Sequence, residues 1–150
     1  MTDSANQTKA VPRKVIQSIH TAPEMPGRRE FFTYRDLGVK EASGGRVSAK
    51  TMKIKRALAE STGWHYHTCE AQINYVINGW YDIVFEDGTE ARVEAGGFQY
   101  VPGGIAHNEI ATSDDVESIE ICIPADMGTV AVEAPAWWVE QQKAKAKASG

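Results

Sequence analysis

The chain has 150 residues, with 16 Lys and Arg against 20 Asp and Glu and a formal net charge of −4. That length makes one domain with a sizeable core, and that charge excludes the basic footprint of a nucleic-acid binder. No apolar run approaches a membrane span, the N-terminal MTDSANQTKAVPRK lacks a signal-peptide core, and Cys69 and Cys122 make no disulfide framework.

The expectation is a soluble cytoplasmic protein without nucleic-acid or membrane partners. Residues 1–10 read as a polar, disordered tail, and a single domain spans 11–140. Val11–Ile19 reads as a short strand or an arm, and His20 as an ordinary loop histidine. Glu30–Leu37 carries β-favouring aromatics and is a predicted strand. Lys40–Gly45 is a turn-rich break before Arg46–Arg56, a long strand of loosely alternating polarity. Ala57–Thr62 is a loop that leads into Gly63–Gly79, GWHYHTCEAQINYVING.

Within that stretch, a strand with Gln72 pointing inward places Asn74, Val76 and Asn78 on the same face. Ile73, Tyr75 and Ile77 then point outward and need a cover, so a homodimer is expected. Trp80–Glu86 and Thr89–Glu94 flank Asp87-Gly88, a strong hairpin signal. Gly96-Gly97 breaks the chain before the predicted strand Phe98–Val101. Asn108–Thr112 and Val116–Ile123 are the last predicted strands, the second stopped by Pro124. A short helix is expected from Ala136, with Trp137 and Trp138 as packing anchors and a disordered Lys/Ala tail over 141–150.

The chain has four histidines, and three of them, His65, His67 and His107, fall in two short segments. His65 and His67 stand one residue apart, so on a strand both imidazoles project from one face and can grip a divalent ion. Gln72 lies five residues on in the opposite parity, so the chain must turn or bulge across Thr68–Ala71 to bring it to the same point. His107 follows Pro102-Gly103-Gly104, a tight turn that swings a strand back over the cavity. Glu109 shares a strand face with His107 and is a candidate general acid/base. Glu120 shares a face with Cys122 on the last strand, and Glu70, beside the turn, rivals Gln72 as the fourth ligand.

The segments Gly63–Gly79 and Gly96–His107 resemble the paired motifs of the cupin superfamily, G-x5-H-x-H-x(3,4)-E-x6-G and G-x5-P-x-G-x2-H-x3-N. His65, His67 and Gly79 match the first, and Gly96, Pro102, Gly104 and His107 match the second. Three positions depart: Ala59 stands at the opening Gly, Gln72 at the metal-binding Glu and Ala111 at the closing Asn. The resemblance implies an all-β cupin fold, a double-stranded β-helix or jelly-roll-like barrel, with an N-terminal arm and a short C-terminal helix. It implies a divalent transition metal (Fe, Mn, Zn or Ni) on His65, His67, Gln72 and His107 and an inward-pointing acidic partner of the ligands at Glu120, with Glu109 or Glu120 as the expected proton shuttle. A small polar substrate is expected, with dioxygenation as the first activity, a non-redox lyase, isomerase or hydrolase as the second, and a non-catalytic binding module as the third.

Overall fold

The computed structural model describes residues 13–150, so the tail expected over 1–10 lies outside the described residues. In chain order the strands are β1 (Glu24–Met25), β2 (Phe32–Asp36), β3 (Ser48–Ile54), β4 (His65–His67), β5 (Ala71–Asn78), β6 (Trp80–Phe85), β7 (Glu90–Glu94), β8 (Phe98–Pro102), β9 (His107–Thr112), β10 (Glu117–Ile123) and β11 (Thr129–Ala131). Helix α1 (Val39–Ala42) lies between β2 and β3, and α2 (Ala136–Ala148) closes the chain. They form two antiparallel sheets, one ordered β1-β2-β3-β10-β5-β8 and the other β11-β4-β9-β6-β7. Consecutive strands repeatedly change sheet, so both sheets are needed before either inner face is complete. Among the described residues, no helix is long and apolar enough to cross a membrane.

Alternation sets the inner faces. On β10, Ser118, Glu120 and Cys122 are buried while their neighbours Ile119, Ile121 and Ile123 are half-buried. On β5, Gln72 and Val76 are buried and Tyr75 is exposed, as the period-2 pattern predicts. The hairpin at Asp87-Gly88 forms between β6 and β7, with Gly88 at φ 90° and its N–H donating to the Phe85 carbonyl. Ile54, Val76, Val93 and Val116 make one apolar cluster between the sheets. Trp64, Val84 and Ala106 make a second, which Trp137 and Trp138 of α2 cover.

Residues 13–18 form no strand, in keeping with the arm among the two readings of Val11–Ile19, whose first two residues lie outside the described residues. Two differences from the sequence reading have physical causes. Lys40–Gly45, read as a break, contains the single turn of α1. Helix α2 extends through Ala148, across the start of the tail expected from 141, because Ala and Lys are strong helix formers and the tryptophans anchor its first turn.

Candidate metal centre

Strand β4 sits between β11 and β9, and its register pairs His65 directly with His107. His67 lies two residues along the same face, so three imidazoles from two strands converge inside the barrel. All three are buried, and their ligand atoms lie within 4.8 Å of one another. The ring centroids of His65 and His107 are 4.5 Å apart, and His67 is 5.1 Å from each of them.

The hydrogen bonds decide which nitrogen faces the centre. His65 Nδ1 lies 2.7 Å from the Gly63 carbonyl and His107 Nδ1 lies 3.0 Å from the Ile105 carbonyl. A carbonyl only accepts, so each of these Nδ1 atoms carries the proton and leaves the Nε2 lone pair free. His67 Nδ1 is held 3.1 Å from Thr129 Oγ1 of β11. His107 Nε2 is fully buried and has no hydrogen-bond partner. A buried nitrogen lone pair without a donor is costly in a core but is what a metal ligand requires.

Burial keeps His65 and His67 neutral. Burial, with the charges of Arg28 and the neighbouring histidines, lowers the His67 pKa to about 4. Burial also lowers His65, against the opposing pull of Glu109. Neutral imidazoles offer ligand lone pairs at pH 7 without first losing a proton.

The turn that follows β4 brings Gln72 in. Residues 68–70 carry the chain from one sheet to the other, which supplies the parity change that His67 and Gln72 require. The second motif braces this turn: Gly104 N–H donates to the His67 carbonyl and Gly103 N–H to the Glu70 carbonyl. A Cβ on Gly103 would stand 1.7 Å from the Cys69 carbonyl oxygen, so only glycine allows the approach. Glu70 is exposed in this turn and is not among the three clustered residues. Cys69 and Cys122 are buried free thiols, and neither belongs to the cluster.

Gln72 is buried, and its Nε2 donates to Glu120 Oε2 at 2.7 Å. Glu120 is itself buried and takes Lys50 at 2.9 Å and Arg28 at 3.3 Å. Burial pushes its pKa up, but Arg28, Lys50 and the Gln72 amide outweigh this and hold the carboxyl below its ordinary range. An ionised carboxylate accepts only, so it fixes the amide with nitrogen toward Glu120 and leaves the carbonyl oxygen as the free end.

Glu109 lies on the other side of the cluster. One carboxylate oxygen is 3.7 Å from His65 Nε2 and the other 3.8 Å from His107 Nε2. Thr62 Oγ1 donates to Oε2 and accepts the Glu109 backbone N–H at 3.1 Å, while the Thr62 N–H donates to the Glu109 carbonyl at 2.9 Å. Burial raises the Glu109 pKa, but the positive charge that His107 or His65 gains on protonation, with the Thr62 hydrogen bond, draws it below its ordinary value. A cavity of about 60 Å³ opens beside His65, with Gln72, Glu109 and Glu120 in its wall.

Residues 57–123 match the family model for the cupin domain. The chain has the cupin fold. The polyketide cyclase RemF from Streptomyces resistomycificus has 17% sequence identity and a TM-score of 0.64, covering 87% of this chain and 94% of its own. KdgF from Halomonas sp. has 19% identity and a TM-score of 0.58, covering 75% of this chain and 94% of its own. The Streptomyces protein PAC13, solved with uridine, has 11% identity and a TM-score of 0.56, covering 81% of this chain and 95% of its own. No curated protein matches the sequence.

Against the cupin motifs, the structure brings His65, His67, Gln72, His107, Glu109 and Glu120 to one inner region. The residues that the sequence reading missed are Thr62, Thr129, Lys50 and the pair Arg28-Arg29. Thr129 is the bonding partner of His67, yet β11 is three residues long and has no period-2 signature. Lys50 and Arg28 are ordinary surface residue types until β3 and the arm place them against Glu120. The alternation in Arg46–Arg56 is too loose to assign Lys50 a side; its register opposite Glu120 on β10 places it.

Proposed function

We propose that the protein is a metal-dependent enzyme acting on a small polar organic molecule, with His65, His67 and His107 as ligands and the Gln72 carbonyl as the fourth. The observation that carries this reading is the buried, unpartnered His107 Nε2 among two further imidazoles whose Nδ1 atoms are engaged. Four neutral donors leave a bound divalent ion its whole charge, and such an ion polarises a substrate oxygen and acidifies bound water.

The protein groups then divide the remaining work. Glu109 accepts the substrate proton, because Thr62 occupies one of its oxygens and the other is left free beside His107. Glu120 acts through Gln72 as a positioning residue; two cations and an amide hold it ionised and make it a poor base. The inner wall near Glu109 is polar, with Tyr81 Oη donating to Gln99 at 2.8 Å and Asn74 and Ser118 also lining the cavity. A base placed beside the ligand set favours a Lewis-acid lyase, isomerase or hydrolase. The cyclase RemF, whose fold is similar, is named for a reaction of that kind. Dioxygenation, placed first on the family resemblance, keeps in its favour a three-histidine set that also suits ferrous iron.

Elemental analysis of tag-free protein, followed by metal removal and reloading, tests this. Near-stoichiometric metal that His65→Ala loses is the expected result; no metal in either sample after reloading refutes it. Zinc- or manganese-supported turnover without oxygen uptake is expected for the Lewis-acid class, and iron-dependent oxygen consumption would establish the dioxygenase instead.

We further propose that two copies pair through the outer face of β5 and β8. There Tyr75 stands opposite Phe98 and Ile73 opposite Tyr100, and Tyr75, Phe98 and Tyr100 are exposed. An exposed aromatic cluster on the edge strand of a sheet is the outward row that the sequence pattern leaves to be covered.

A further inference from the structure

The arm between β1 and β2, to which the cupin motifs assign no role, delivers two arginines to the cavity beside the histidines. Its path is set locally. Gly27 lies flat on the Tyr34 ring, where a Cβ would stand 2.1 Å from two ring carbons. The Tyr34 side chain is buried, and its hydroxyl accepts the Arg29 backbone N–H at 3.2 Å. Tyr34 thus pins Gly27 and Arg29, and the side chains of Arg28 and Arg29 both reach the cavity wall.

The two cations have different partners. Arg28 pairs with Glu120, which Lys50 already neutralises. Arg29 has no carboxylate partner among the described residues; its guanidinium reaches only the Thr62 carbonyl, at 3.5 Å. Arg28 and Arg29 share the cavity wall with Glu109 and Glu120, and because Lys50 also pairs with Glu120 from beside the wall, Arg29 is left, among the described residues, as the cation without a carboxylate of its own. Arg29 and Glu109 meet on the same residue, Thr62, one at its carbonyl and the other at its hydroxyl. A group held by Arg29 therefore extends toward the base and the imidazoles.

We infer that Arg29 is the anchor for a carboxylate, and that the substrate is a small carboxylic acid whose second polar group reaches the histidine cluster. The planar guanidinium presents paired donors that match a carboxylate. A cavity of about 60 Å³ holds only a few water-sized groups, so the buried part of the molecule has only a few non-hydrogen atoms. The inference names the substrate class for the metal-dependent reading and rests on that reading for the second contact, but not for the carboxylate contact.

Calorimetric titration of malonate and of its neutral isostere malonamide separates the two. The titrations use chelator-treated and metal-reloaded full-length protein, for the wild type, Arg29→Gln and Arg29→Lys. Arg29 is half-exposed, and far-UV circular dichroism and the melting temperature confirm that each variant is folded. The expected result is that malonate binds the metal-free wild type and that malonamide does not. Arg29→Gln weakens malonate about 10- to 100-fold, the range for hydrogen bonds to a charged group. Arg29→Lys, which keeps the charge and loses the fork, falls between. Reloading with metal tightens malonate further; if it does not, while the Arg29 dependence stands, the metal-dependent reading fails and the anchor survives. Equal binding of malonate and malonamide, malonate binding insensitive to Arg29→Gln, or no malonate binding in either state overturns the inference. Inorganic phosphate competing more tightly than malonate also overturns it and points to a phosphorylated ligand.

Discussion

His107→Leu separates a metal ligand from a histidine that merely fills the core. The side chain is fully buried, Nδ1–H donates to the Ile105 carbonyl, and Nε2 has no partner. In metal-free protein the unsatisfied Nε2 costs about 1–3 kcal/mol, while the Nδ1–H bond contributes about 1 kcal/mol. Leucine is of similar bulk, removes both and leaves one carbonyl unsatisfied, so the two effects nearly cancel. The unfolding free energy in urea with chelator is expected to change by less than about 1.5 kcal/mol. With free metal at 100 times its Kd, the wild type gains about 2.7 kcal/mol by mass action and the variant gains nothing. Chelator and metal arms of one urea series read both quantities. A loss above about 3 kcal/mol in chelator would show that His107 is structural, and an undiminished metal-dependent gain in the variant would show that it is not a ligand.

Four further outcomes follow from the same geometry. Gln72→Glu restores the acidic residue of the family motif but sets two carboxylates in contact at the Gln72–Glu120 bond of 2.7 Å. The metal-free variant is expected to lose about 1–3 kcal/mol in urea, and Gln72→Glu/Glu120→Gln to recover most of it; strict additivity of the two changes would refute the pairing. Metal-free protein becomes less stable as pH falls, because the His67 pKa is depressed to about 4 while the unfolded chain titrates near 6.5. Its contribution is whole above pH 6.5 and is lost progressively down to about pH 4, at most about 3 kcal/mol; His67→Gln flattens this stretch of the profile if the assignment is right. Thr129→Val removes the hydroxyl bonded to His67 Nδ1 without touching the ion, and a metal Kd unchanged from wild type in a chelator competition would contradict its role. Phe98→Glu, which places a charge on the exposed aromatic face, is expected to convert the light-scattering mass from two chains to one; a wild-type mass of one chain excludes the dimer.

The barrel was legible because its signals are local. Alternation on Gln72–Asn78 and Glu117–Ile123, Asp87-Gly88 at a hairpin and glycines at the motif turns each fix one strand or turn without reference to the rest. The histidine cluster was legible for the same reason: His65 and His67 declare a face by spacing alone. The partners of those histidines were not. Thr129 meets His67 across 62 positions of sequence, and Lys50 meets Glu120 across 70, through strand pairings that no local pattern encodes. Glu120 was visible as an inward acidic residue, but its division of labour from Glu109 depends on which carboxylate is saturated by cations, and only the assembled fold shows that.

The ligand strand β4 has its longest ladder with β11, three residue pairs against one with β9, and Trp64 beside His65 is roofed by Trp137 and Trp138. Residues 129–138 therefore work as a clasp on the first two histidines of the cluster. Until they have folded back on β4, His67 has neither its neighbouring strand nor its hydroxyl partner. A site that holds metal through His67, as proposed, is complete only once that clasp has closed.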